Sequence, residues 1–165
     1  MADFIQEQGL PFFAHLLRRL SDEFVSGFAV WNKEVGIKAP PRTHSTLQAL
    51  AERGPLGVTQ LAALLRQSHP LVITWVRQLK ELGLVEARSD ALDGRRTVLT
   101  LTDAGKAETE VQKLAHAAMI RAFEKLMREA DAEIFEALWR IEAACRQKSF
   151  LDRLREEEFS PSSNS

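Results

Sequence analysis

The chain of 165 residues contains a single cysteine, Cys145, and four scattered histidines, His15, His44, His69 and His116. One thiol excludes an intramolecular disulfide framework and cannot by itself build a structural zinc site. No two of the histidines have ligand spacing on one helix, so neither a metal nor any other cofactor is expected. Also missing are H-E-x-x-H, C-x-x-C, a glycine loop for phosphate and G-x-S-x-G, and enzyme chemistry is therefore not expected. There is no run of eighteen apolar residues, no secretory leader pattern and no internal repeat. The expectation is a cytoplasmic protein that neither crosses nor enters a membrane.

What is present is organised around residues 57–105. Val58 to Leu65 reads as a helix too short to stand alone, with Gly57 and Gln60 placed as an N-cap and its N3 partner. A second helix begins near Ser68, with Pro70 in its first turn, where a missing N–H costs nothing. Val72, Trp75, Val76 and Leu79 recur at helical spacing and predict its inward face. Gly83 ends it. A strand-like run from Leu84 to Arg88, a polar loop from Ser89 to Gly94 and the β-branched run Thr97 to Leu101 then predict a hairpin. Thr102 is placed to cap a long third helix. Helix, turn, helix and hairpin in that order predict a winged helix-turn-helix.

The flanks are helical too. Phe13, Leu17, Leu20, Phe24, Phe28, Trp31 and Val35 keep to one face of a helix that Gly36 and Pro40-Pro41 end. Thr43 is placed to cap a short helix carrying Leu47, Leu50 and Ala51. The long helix after the hairpin carries Val111, Ala115, Ala118, Ala122 and Leu126. Asp131 is placed to open a final helix with Ile134, Leu138, Ile141 and Cys145 on one face, which makes the thiol a core group and not an oxidant sensor. Met1 to Gly9 has no clear pattern and reads as a loose arm, and 159–165 reads as a disordered polar tail. The expected organisation is one chain, 1–158, mainly α with a small β-hairpin wing: a head at 41–102 flanked by long N- and C-terminal dimerisation helices at 10–36 and 103–158. Those helices carry more apolar surface than the head can cover, which favours a homodimer.

Leu61-Ala62, the Leu79 to Val85 run with Gly83, Asp93-x-Arg95 and Leu101-Thr102-x-x-Gly105 resemble the MarR (multiple antibiotic resistance regulator) family of dimeric bacterial transcription factors. Each piece is weak alone, but their order and spacing together are specific. The resemblance implies a DNA-binding transcriptional regulator of a pseudo-palindromic double-stranded operator, most simply a repressor released by a small hydrophobic or aromatic anionic effector. At Arg66 similar sequences commonly have glycine, so the turn is expected to be built differently here. Net charge is −1 overall, yet from Arg66 to Leu101 six basic residues stand against four acidic ones, a modest attraction for a polyanion.

On this reading the contacts to DNA fall to Ser68, His69, Leu71, Thr74 and Arg77 of the second helix, and to Arg88, Asp93, Arg95 and Arg96 of the hairpin. Leu71 and Ile73 cannot donate to base edges; they either meet thymine methyls or are ordinary surface apolar residues. Arg77 either reads DNA or pairs with Glu81. A carboxylate two residues from a guanidinium can hold it extended, and the resemblance makes Arg95 the minor-groove residue and Asp93 its orienter. By the same resemblance an effector crevice is walled by Phe28, Trp31, Arg42 and His44, although taken singly Phe28 and Trp31 read more simply as core and Arg42 and His44 as caps or surface. The rival from another class is a winged-helix protein-interaction module that has lost DNA binding.

Overall fold

The computed structural model describes residues 3–90 and 93–157. The segment 159–165, expected to be a disordered tail, lies outside them. They divide into two compact units, Met1–Ala117 and Ala118–Ser165.

In the first unit, α1 (Phe4–Gln8) begins a chain segment expected to be loose. Asp3 caps it, its carboxylate accepting from the amides of Ile5 and Gln6 at 2.9 and 3.3 Å, and it pairs with Arg19 at 2.7 Å. That guanidinium first, and the cap second, hold the Asp3 carboxyl below its usual range. An Asp three residues before Gln6 is the cap signature that marks this short helix. A 3-10 turn at Leu10–Phe12 leads into α2 (Phe13–Glu34). The apolar stripe of α2 is only partly covered: Phe13, Leu20 and Val35 are exposed, Leu17, Phe24, Phe28 and Trp31 are half-buried, and Asn32 is the one buried residue of the helix.

Gly36, at φ 79°, closes α2, and a 3-10 turn at Pro41–Thr43 leads into α3 (His44–Arg53). Thr43 does not cap α3. Its hydroxyl donates back to the Pro40 carbonyl at 2.7 Å, because Pro41 starts a tight turn just before it. Ala51 is exposed, while Leu47, Ala49 and Leu50 are buried. Next come α4 (Val58–Leu65), α5 (His69–Glu81), β1 (Val85–Ser89), β2 (Thr97–Leu101) and α6 (Asp103–Glu129). The strands pair antiparallel, Val85 opposite Leu101 and Ser89 opposite Thr97, and Leu56 adds a bridge to Leu99.

The core of this unit joins Leu47, Leu50, Leu61, Val72, Leu79, Leu84 and Leu101. Each leucine buried there contributes about 1.5–3 kcal/mol. Thr102 fastens the exit of the head. Its hydroxyl donates to the Gly83 carbonyl at 2.6 Å and accepts from the Gly105 amide at 3.0 Å, capping α6 as the sequence predicts. Glu108, one turn on, is buried and accepts from the amides of Lys38 and Ala39 at 2.6 and 2.8 Å, so it fastens the entrance. The buried face of α6 is thus Gly105, Glu108, Thr109, Gln112 and Ala115; of the predicted apolar stripe Ala115 is buried, Val111 and Ala118 are half-buried, and Ala122 and Leu126 are exposed.

In the second unit, the end of α6 is followed by α7 (Ile134–Gln147) and α8 (Phe150–Glu156). Asp131 does not open α7. It sits at φ 47° just past α6, where the amide of Ala132 returns to the Met127 carbonyl at 3.1 Å, so it is a left-handed C-terminal cap. The final helix is broken at Lys148, and Ser149 caps α8 by accepting from the Asp152 amide. Cys145 and Ile141 are exposed, as are Phe135 and Trp139, which meet edge to face. Among the described residues, no helix is long and apolar enough to cross a membrane, and no three His, Cys, Asp or Glu side chains gather as a metal site.

Candidate nucleic-acid interface

Helix α5 is presented by a turn that closes α4 in the ordinary way. Arg66 takes the left-handed conformation, φ 52°, and the Gln67 amide donates to the Ala62 carbonyl at 3.0 Å. The turn is therefore not built differently, as expected from the missing glycine. An arginine occupies the glycine position, at a strain of order 1 kcal/mol. On the N-terminal side of α4, the amide of Gly57 donates to Gln60 Oε1 at 2.9 Å. That is the half of a capping box that a glycine permits.

Ser68 stands at the N-cap of α5 without a side-chain cap bond, and Pro70 lies in the first turn. Val72, Trp75, Val76 and Leu79 are buried, as their spacing predicts. Ser68, His69, Leu71, Ile73, Arg77 and Gln78 are exposed and Thr74 is half-buried. Thr74 donates its hydroxyl to the Pro70 carbonyl at 3.1 Å. Arg77 Nε lies 4.0 Å from Glu81, a loose pair on an exposed face.

In the hairpin, Arg88 pairs with Glu86 on the same strand. The loop closes through Asp90 N–H to the Arg96 carbonyl at 2.8 Å and Arg96 N–H to the Asp93 carbonyl at 2.9 Å. Asp93 Oδ1 accepts from the backbone amide of Arg95 at 3.1 Å. The carboxylate thus fixes the backbone from which Arg95 projects and does not grip the guanidinium, a consequence of the short Asp-Gly-Arg turn. Arg95 and Arg96 are both exposed.

The four proposed crevice residues all lie in the first unit. Phe28 and Trp31 on α2 are half-buried, whereas Arg42 is exposed and paired with Asp22 at 3.1 Å. The Nε2 of His44 lies 3.1 Å from the Ala39 carbonyl and 3.0 Å from Asn32 Nδ2. Burial lowers the His44 pKa, against the Ala39 hydrogen bond and Glu108, which raise it, and His116 adds to the lowering. Burial thus favours the neutral imidazole. Three polar residues here escape sequence reasoning: Asn32, Glu108 and Gln112. Asn32 Oδ1 and both amide atoms of Gln112 are buried without a partner. Asn32 carried a signal, a polar residue one turn after Phe28 on an apolar face; Gln112, one turn after Glu108, carried a weaker one.

A short helix, a left-handed turn, an exposed second helix and an arginine-tipped hairpin define a winged helix-turn-helix protein. Residues 37–96 match the model of the MarR family. Among similar solved structures is a probable transcriptional regulator from Pseudomonas aeruginosa, 26% identical with a TM-score of 0.62, over 76% of this chain and 93% of that one. Another is the PcaV transcriptional regulator from Streptomyces coelicolor in complex with its natural ligand, 25% identical with a TM-score of 0.65, over 88% and 99%. The S. aureus MepR–DNA complex shares the fold at 20% identity and a TM-score of 0.59, over 84% and 97%. No curated protein matches the chain in sequence. The family match is thus confined to the head, and the chain as a whole shares the fold of solved transcriptional regulators.

Proposed function

We propose that the protein is a homodimeric DNA-binding repressor, without enzyme activity, whose hold on a pseudo-palindromic operator is released by a small molecule. The observation that carries the DNA reading is the exposed outer face of α5 beside a hairpin whose loop geometry holds Arg95 and Arg96 outward. Such a helix suits the major groove, and such an arginine the narrow minor groove next to it. Ser68, His69, Leu71, Thr74 and Arg77, with Arg88, Asp93, Arg95 and Arg96, are the assigned contacts. MepR in its DNA complex shares this fold. The test is binding of the full-length protein to genomic fragments, footprinted at increasing salt. Affinity that falls steeply with salt and concentrates at an inverted repeat is expected; absence of binding at low salt overturns the reading in favour of a protein-interaction module.

The homodimer is supported by uncovered apolar surface on both flanks of the head. Leu10, Phe12, Phe13, Leu16 and Leu20 line an open groove beside α2, and Phe135 and Trp139 are 62% and 54% exposed on α7. A monomer in sedimentation at micromolar concentration overturns this part.

For the effector, the support is the set of buried, unpartnered polar atoms on Asn32, beside His44, and on Gln112. A ligand with a planar apolar body and polar edges would satisfy atoms that are costly to leave bare. An anionic ligand has Arg42 as its cation and must compete with Asp22 for it. PcaV, solved with its natural ligand, is a regulator of the same fold.

A further inference from the structure

Successive residues step round a helix by about 100°. With Val72, Trp75, Val76 and Leu79 buried, the line of α5 opposite the core runs through Pro70, Thr74 and Arg77. Ile73 lies to one side of it, and Leu71 to the other. Leu71 is 38% exposed and Ile73 is 48% exposed. From Pro70 to Thr74, past Ser68 and His69 at the start of the helix, the outward side chains offer no free hydrogen-bond donor. Leu71 and Ile73 are hydrocarbon, Pro70 has neither an N–H nor a polar side chain, and the Thr74 hydroxyl proton is already given to the Pro70 carbonyl. Arg77, the first strong donor on the line, lies two turns in and near Glu81.

Two features favour DNA over a protein as the occupant of this face. The apolar groups sit on opposite shoulders of a ridge with Pro70 and Thr74 between them, which is the shape of an insert for a groove and not of a flat apolar patch. The same unit also holds out Arg88, Arg95 and Arg96 from its hairpin, which complement phosphates. Within the major groove the one apolar group on any base edge is the C5-methyl of thymine.

We propose that α5 selects its operator through thymine methyl groups, with Leu71 and Ile73 as specificity residues that seat C5-methyls from the two walls of the major groove. The inference rests on the DNA-binding reading above and adds to it what is read. Each half-site then requires thymine at the positions facing Leu71 and Ile73, and cytosine fails there because its C5 carries only hydrogen, leaving no methyl to bury, beside an N4 amine in place of the thymine O4.

The test uses the full-length protein and a duplex selected from random sequence by binding. Each half-site thymine is replaced in turn by deoxyuridine, which deletes the methyl and leaves base pairing intact. The expected result is a loss of about fourfold in affinity at one or two positions per half-site, the equivalent of ~0.8 kcal/mol for one buried methyl. Leu71→Ala and Ile73→Ala, at exposed positions, should melt as the parent does. Each should bind the thymine duplex more weakly and lose its response to uracil at one position. Uracil tolerated at every position by the parent, or variants that keep its full uracil response, overturns the methyl readout while leaving DNA binding standing. Binding of no duplex at all overturns both readings and assigns the ridge to a protein partner.

Discussion

Gly105 packs so closely under Leu84 that a Cβ added to it would stand 2.0 Å from the Leu84 carbonyl oxygen. The contact is to backbone, which cannot rotate away, so α6 and the segment at Leu84 must separate to admit a methyl group. Gly105→Ala should destabilise the full chain by about 1–3 kcal/mol, the range of overpacked cores, read as a lower urea midpoint. An unchanged midpoint would mean that α6 can shift without cost.

Glu108 should matter through the two amides it satisfies. Replacing it with alanine leaves the Lys38 and Ala39 N–H groups without their acceptor, a loss of about 2–4 kcal/mol. Glu108→Gln keeps an acceptor oxygen there and should lose less than half as much. Equal losses in urea unfolding would show that the negative charge, and not the pair of hydrogen bonds, holds the junction.

For the hairpin, the bond from Arg95 N–H to Asp93 Oδ1 separates two roles for the carboxylate. Asparagine keeps the acceptor and removes the charge. Asp93→Asn should therefore bind operator nearly as the parent does, and Asp93→Ala more weakly. Arg95→Ala should cost about 1–3 kcal/mol as a desolvated groove contact. Gel-shift titrations compare the three, and an Asp93→Asn variant as weak as Asp93→Ala would mean that the charge acts on the guanidinium directly.

His44 gives stability a pH dependence of known sign. Its folded pKa is lowered, chiefly by burial, so on acidification the unfolded chain takes up a proton near the ordinary 6.5 before the folded one does. Stability contributed by the neutral imidazole is complete above that pH and falls as pH drops toward the lowered folded value. The groups facing it are Asn32, the Ala39 carbonyl, Glu108 and His116. Urea unfolding at pH 7.5 and pH 5.5 should show a larger loss for the parent than for His44→Gln. The other three histidines are common to both proteins, so parallel losses would remove His44 from the account.

The hairpin, the buried face of α5 and the Thr102 cap were legible because each is written in local periodicity or in one short side chain beside a chain end. The left-handed turn at Arg66 was not, since nothing in an arginine announces a positive φ that tertiary packing imposes on it. Asp131 misled for a related reason: a residue type that favours helix starts also tolerates the left-handed cap at helix ends. Around the candidate site, apolar periodicity pointed to Ala118 and Leu126 on α6. The buried residues there are Glu108, Thr109 and Gln112, and the partners of Glu108 lie about seventy residues away and leave no trace in local pattern.

The clasp of Glu108 on Lys38 joins residues 70 positions apart. Closing so wide a loop carries an entropy cost that only a formed head can offset, so the clasp is a late event in folding. During synthesis, which runs from the N-terminus, every residue of the hairpin has been made before Glu108 exists to accept the two junction amides. A chain made only as far as its hairpin therefore has the Lys38 and Ala39 amides without their acceptor. The order of translation makes α6 the bolt that is drawn last.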